Sequence, residues 1–309
     1  MGANLLHYRG WTGQFRGPLW SILTIARVAL SQVLRRKLFW VLYAFGLLFF
    51  FMFFFGQYLL AWTESQMDEQ VVTVGVFRTE PAQFVQLLRK SLRIDGSGEM
   101  YRNFFRFQAS MVVVILAMAG AVLVGNDFQF GSVPFYLAKP LSPWHYLLGK
   151  CLAVAVIVNL MTTLPALVLY FQYGVLTSWD YFLDDFKLFL GILGYGMALT
   201  VCLSLMLVAT AGWLRRTVPM IMTWTTVFVF FRFLAAALVN GLQMHPRWRL
   251  MDLWNDTYLL GNYFLGVSPD RIWPPRQPAV GEAVLVLGTV CLLCLTYLTL
   301  RIRAVEVVR

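Results

Sequence analysis

Residues able to do chemistry are few in this chain and lie far apart. The three histidines are His7, His145 and His245, and none belongs to an H-E-x-x-H pair or neighbours a nucleophile elbow. The only Gly-Lys step, Gly149-Lys150, is followed by cysteine and has no glycine five places earlier, so it is not a phosphate-cradling loop. Cys151, Cys202, Cys291 and Cys294 all fall inside apolar runs, where small buried thiols are expected rather than disulfides or metal ligands. No catalytic residue and no metal site is expected. What remains are polar groups set in apolar surroundings. Arg232 stands about fifteen residues into one run, on the order of 22 Å from its start. There it snorkels to headgroups, pairs internally or contacts a transported molecule. Gln57, Gln108 and Asn159 are uncharged counterparts, which either hydrogen-bond between helices or line a translocation path.

Composition sets the solvent in which these groups sit. Of the 309 residues 59% are hydrophobic and 13% charged, with a mean hydropathy of +0.67; a soluble domain carries about 25% charge. Six runs can cross hydrocarbon roughly 30 Å thick, which takes about 20 residues each. They are 38–62, 104–124, 147–171, 188–214, 218–239 and 283–300. The expected fold class is an all-α polytopic membrane protein, one transmembrane domain over 1–309. The first run is too long for a signal-peptide core and lacks a small-residue cleavage site, so no cleavable leader is expected.

Basic residues orient it. The segment up to Lys37, the second-to-third and fourth-to-fifth connections and the tail carry 13 basic and two acidic residues, whereas the three opposite loops carry ten basic and thirteen acidic. Basic residues near span ends resist translocation, which places both termini in the cytoplasm. The net charge of +10 thus reflects topology and anionic headgroups, and gives no reason to invoke nucleic acid.

Between the spans, 20–37 is helical in period. Trp20, Leu23, Leu30 and Leu34 fall near one face, with Thr24, Arg27, Ser31 and Arg35 on another, predicting an interfacial amphipathic helix. The two long outer loops are 63–103 and 240–282, and the short one between them is acidic, with Asp180, Asp184 and Asp185. Within them 71–77 predicts a short strand, 84–94 a small helix and 249–266 one or two short helices against the membrane. The phenylalanine-dense 49–55 predicts a surface facing lipid or a partner, and Pro165 a kink in the third span.

One connection is unusually punctuated: DFQFGSVPFYLAKPLSPWHYLLGK, residues 127–150. Ser132 can cap a helix starting at Val133, in whose first turn Pro134 is tolerated. Pro140 ends that helix, because the residue before proline is pushed out of the α region. Ser142 then caps a further helix with Pro143 at its first position. A short, stiff, aromatic-bearing helix at the membrane surface has the shape of a docking element.

These residues carry a resemblance. Asp127-x-x-x-Gly131-Ser132, Leu137, Pro140, Ser142 and Gly149-Lys150 resemble the E-x-x-x-G-T…L…P-x-S-R…G-K pattern of type-2 ABC-transporter permeases; the basic N-terminal helix and the RIRAVEVVR tail are similar to that family too. Asp127 stands where Glu is usual, Pro134 interrupts a leucine-rich helix, and Trp144 replaces an arginine. The resemblance implies an elbow helix at 20–37 and a cytoplasmic coupling segment at 125–146. It implies a separate ATPase docked at 131–140, carrying ATP and Mg while this chain holds no cofactor. It implies a second permease copy or related permease, and export or mechanical transmission at the bacterial inner membrane. Asp127, Gly131, Ser132, Phe135, Tyr136, Leu137 and Lys139 are the expected ATPase-coupling residues. An ATP-independent transporter or channel would show paired intramembrane charges or two helix-broken halves. A membrane anchor for an extracytoplasmic protein bound at the outer loops is the other alternative.

Overall fold

The computed structural model describes residues 17–65, 72–74, 77–79, 94–131 and 142–302. Helix α1 (Pro18–Leu34) leads into α2 (Lys37–Ser65); a hairpin of β1 (Val72–Val74) and β2 (Phe77–Thr79) precedes α3 (Gly98–Gly120). The rod of α3 continues through a π-helical turn, Ala121–Gly125, into Asn126–Gln129. Then come α4 (Pro143–Met161), α5 (Thr163–Thr177), the short α6 (Asp180–Asp184), α7 (Phe186–Leu214) and α8 (Thr217–Thr225). The rod of α8 reaches Gly241 through two more π-helical turns, and α9 (Leu253–Phe264) and α10 (Val280–Arg301) complete the chain.

Six stretches are long and apolar enough to cross a membrane: Lys37–Thr63, Gly98–Gly125, Pro143–Thr177, Phe186–Leu214, Thr217–Gly241 and Val280–Arg301. The second, third and fourth are 65%, 56% and 67% buried in the protein, against 17% for each of the others. The middle three are therefore the core, and the first, fifth and sixth present apolar faces to lipid or a partner. Phe51 and Phe55 point outward from α2, while Phe53 is buried edge-on against Phe104, ring centroids 5.6 Å apart.

The boundaries depart from the hydropathy pattern where charge is satisfied inside the protein. The second span starts six residues before the expected 104, because Glu99 and Arg102 are buried and paired. Arg271 Nη1 lies 2.7 Å from Glu99 Oε1, and Arg102 donates to the Arg271 carbonyl at 2.9 Å. The third span is not one helix over 147–171. It begins at Pro143 and breaks at Thr162 (φ −113°, ψ −72°), three residues before Pro165. Proline lacks the N–H that would reach the Met161 carbonyl and its ring crowds that turn, so the break falls on the preceding turn. The strand expected over 71–77 is instead a hairpin, pairing Val74 with Phe77. The helix expected over 84–94 lies outside the described residues.

Helix α1 presents only part of the face its large residues suggest: Leu30 and Leu34 pack partly buried against the core. Ile25, Ala26, Ala29 and Val33 are buried against the bundle, while Trp20 and Leu23 are exposed. Ala26 and Ala29 within this face let the two backbones approach closely.

At the end of the bundle opposite α1, helix α9 tucks against α7, α10 and α3. Asp252 caps it, accepting from Trp254 N at 3.0 Å and Asn255 N at 3.2 Å. Asp256, one turn on, is wholly buried, and neither carboxylate oxygen has a hydrogen-bond partner among the described residues. Burial, with the nearby Asp252 charge, pushes its carboxyl up to about 8. A carboxyl whose pKa rises on folding takes up a proton as the chain folds, so stability falls as pH climbs from its ordinary range toward 8. The limiting slope is about 1.4 kcal/mol per pH unit. Asp256→Asn removes this dependence. Thermal unfolding of the two proteins between pH 6 and 8 should show the asparagine variant gaining on wild type as pH rises.

Candidate functional site

The punctuated connection is rooted at both ends in one buried joint. On its leading side the α3 rod ends at Gln129, and Gly131 follows at φ +66°, a left-handed conformation that favours glycine. Residues 132–141 lie outside the described ones. The helix expected over 133–139, with Ser132, Phe135, Tyr136, Leu137 and Lys139, therefore has no structural account. The chain resumes at Ser142, the N-cap of α4, with Pro143 in first place. Ser142 N donates to His145 Nδ1 at 3.1 Å. His145 is thus half of a helix cap rather than a free surface histidine.

Asp127 and Lys150 meet between these ends. Lys150 Nζ lies 2.6 Å from Asp127 Oδ2, with the two side chains only 4% and 12% exposed. Lys150 also donates to the Leu123 carbonyl, within the π-helical turn of the α3 rod. Tyr146, one turn before Lys150 on α4 and fully buried, donates its hydroxyl to the same Asp127 oxygen at 2.9 Å. One carboxylate thus holds the last turn of the α3 rod against the first turns of α4, and Tyr146 and Lys150 grip it from a single helix face.

Helix α1 lies over this joint, packing on α4 and on the π-helical turn. Gly149 makes the seat. A Cβ there would sit 2.8 Å from Ile25 Cβ and 3.1 Å from the Ile22 carbonyl oxygen, so any larger residue forces α1 away. Gly149 and Lys150, adjacent in sequence, hold α1 and the α3 rod respectively.

The intramembrane polar groups are tied to neighbouring helices. Gln57 Nε2 lies 3.4 Å from Met100 Sδ, Gln108 donates to the Gly46 carbonyl at 2.8 Å, and Asn159 donates to Thr200 Oγ1 at 2.9 Å. Arg232 is exposed from the α8 rod and faces a cavity at the end opposite α1. Cys202 and Cys291 approach to 3.6 Å, linking α7 to α10, and no cluster of three or more metal-ligating side chains occurs among the described residues. His245 Nδ1 accepts from Arg247 N at 3.2 Å, a second histidine used as a cap.

Sequence reasoning singled out Asp127 but not Tyr146 or Lys150 as its partners. A signal was present: Asp127 is the only acid between Glu99 and Asp180, so a lysine in an adjacent span start had one carboxylate to meet. Breaking a buried pair by removing one partner is far more damaging than removing both. Lys150→Met should therefore destabilise the chain by about 3 kcal/mol, while Asp127→Leu with Lys150→Met should recover most of the loss. Thermal unfolding of the two single variants and the double variant in one detergent checks this.

A family model described as ABC-2 family transporter protein matches residues 23–301. No curated protein sequence matches the chain. The matched stretch takes in most of α1, the rooted connection and all six membrane-length stretches. The chain therefore belongs to the ABC-2 transporter family and is a multi-pass membrane permease subunit of an ABC transporter.

Proposed function

We propose that this permease is a half-transporter whose 131–140 segment takes the push of a separate ATPase, and that the Asp127–Lys150–Tyr146 joint passes it into the membrane. The observation that carries this reading is the rooting of both ends of the segment in one buried ion pair beneath α1. A force on the segment cannot load one span alone; it reaches the α3 rod, α4 and α1 together. The end carrying α1 is the cytoplasmic one, as its basic residues favour. ATP and Mg belong to the ATPase, since no phosphate-binding loop occurs in this sequence. A second permease, identical or related, completes the assembly against the exposed apolar faces of the first, fifth and sixth spans. The bacterial inner membrane is the setting this reading assigns.

Phe135 and Tyr136 are the aromatic anchors of the segment. Truncating buried aromatic anchors commonly costs about 2 kcal/mol, roughly thirtyfold in affinity. Phe135→Ala with Tyr136→Ala should strip the ATPase from the purified permease while leaving membrane insertion intact. Gly131→Val should retain the ATPase but uncouple it, because valine resists the left-handed conformation found at 131. Copurification and ATP-driven transport, measured side by side, separate the two effects. Wild-type ATPase yield from the double-alanine variant would move the docking surface elsewhere.

Orientation has its own test. In a background lacking the four native cysteines, single cysteines at the exposed Asp95 and Asp184 should react with an impermeant thiol reagent in intact cells, and those at Lys139 and Arg215 should not. Labelling at 139 from outside would reverse the orientation.

A further inference from the structure

A cavity of about 280 Å³ opens at the end of the bundle opposite α1, between the α3 rod, the α8 rod and α9. Three arginines line it, from three separate elements: Arg106 of α3, Arg232 of the α8 rod and Arg249 of the 3₁₀ turn before α9. Arg106 is eight residues from the start of its helix and Arg232 nine from the end of its rod, so each lies roughly 12–14 Å along its span. Two cations from different spans thus stand at a similar height, a little over two turns from the same end of the bundle.

Neither Arg106 nor Arg232 has a carboxylate within ion-pair distance among the described residues. Arg106 rests over the Tyr258 ring, 5.7 Å from its centroid. Arg249 is buried; its Nη2 reaches Asn240 Oδ1 at 2.7 Å, and its Nε has no partner among the described residues. The single lining acid, Asp252, is engaged in capping α9. Three fixed cations against one committed carboxylate leave the cavity net positive. Asp252 offsets part of this charge, since it lies near Arg232 and Arg249, and the remainder favours an anion. Trp254 and Tyr258 form apolar wall, and Trp273, 68% exposed, forms a lip.

We infer that this cavity binds the anionic headgroup of a membrane amphiphile, its phosphate or carboxylate between Arg106 and Arg232 and its neighbouring carbons against Trp273 and Tyr258. Guanidinium groups suit this role through planar, multiple N–H donation to phosphate or carboxylate oxygens. The position favours a membrane amphiphile over a free ion, because the two arginines stand near the ends of membrane-length stretches, where headgroups lie, and the lip is an exposed aromatic. In the orientation proposed above this is the outer leaflet. The inference goes beyond ATPase engagement and does not need it, since binding is read on the permease alone.

The test is a titration of phosphatidylglycerol and, separately, phosphatidylcholine into the full chain in a neutral detergent, with bound lipid counted by native mass spectrometry. The expected result is one phosphatidylglycerol per chain whose affinity falls at least tenfold in Arg106→Gln with Arg232→Gln. Arg216→Gln, at the α1 end, should leave it unchanged. Trp273→Ala, on the exposed lip, should weaken the same bound lipid and keeps the test open if the double variant does not fold. Equal binding of the two lipids, an unaltered affinity in the double variant, or complete displacement by millimolar inorganic phosphate would each overturn the assignment.

Discussion

Everything at the α1 end of this permease depends on one carboxylate buried between two helices. Asp127 on its own would be an unpaired charge at the end of a membrane rod, and Lys150 an unpaired charge at the start of another. Together, with the Tyr146 hydroxyl and the Leu123 carbonyl, they satisfy one another where water is scarce. Desolvation makes such a pair a poor source of net stability but a strict one for geometry, since either partner alone is heavily penalised. The strictness matters here because the pair closes the base of the connection proposed to engage the ATPase. What hangs from that base has two anchored ends.

The same logic explains why α1 belongs to the joint. Its bundle-facing side includes the small Ala26 and Ala29, and Ile25 sits against Gly149, so the helix lies close against α4 and the π-helical turn. Its larger apolar residues, Trp20 and Leu23, are left exposed, where they suit a membrane interface. One helix thereby contacts the joint on one side and offers lipid-compatible residues on the other. The core lies in the second to fourth spans, so a load entering at the joint begins in two of the three best-buried spans.

Hydropathy and punctuation made much of this legible. The six apolar runs marked the spans because hydrocarbon solubility depends on composition, and Ser142 with Pro143 marked the start of α4 because capping is local. Features that rest on pairing were hidden. Glu99 and Arg102 look like loop residues until their ion pairs are visible. The break at Thr162 follows from Pro165 but falls a turn earlier than the proline itself. His145 reads as a surface residue because a side-chain cap from the third helical position is seldom histidine. Lys150 stands in the motif with no evident partner, since the π-helical turn that brings Leu123 toward it has no sequence signature. The docking helix itself, 133–139, rests on its prolines and serine alone.

In the proposed coupling the α1 end is a single moving body: the end of the α3 rod, the first turns of α4 and α1 shift together when the ATPase closes. Spin labels at Gln129 and Leu148, both exposed, report on that joint directly through their distance distribution. In the assembled transporter lacking native cysteines, the wild-type distribution should stay narrow and unchanged on ATP binding, and Lys150→Met should broaden it. A shift of the Gln129–Leu148 distance in the wild-type joint on ATP binding would contradict the account, because the two roots of the connection would then be moving apart rather than as one.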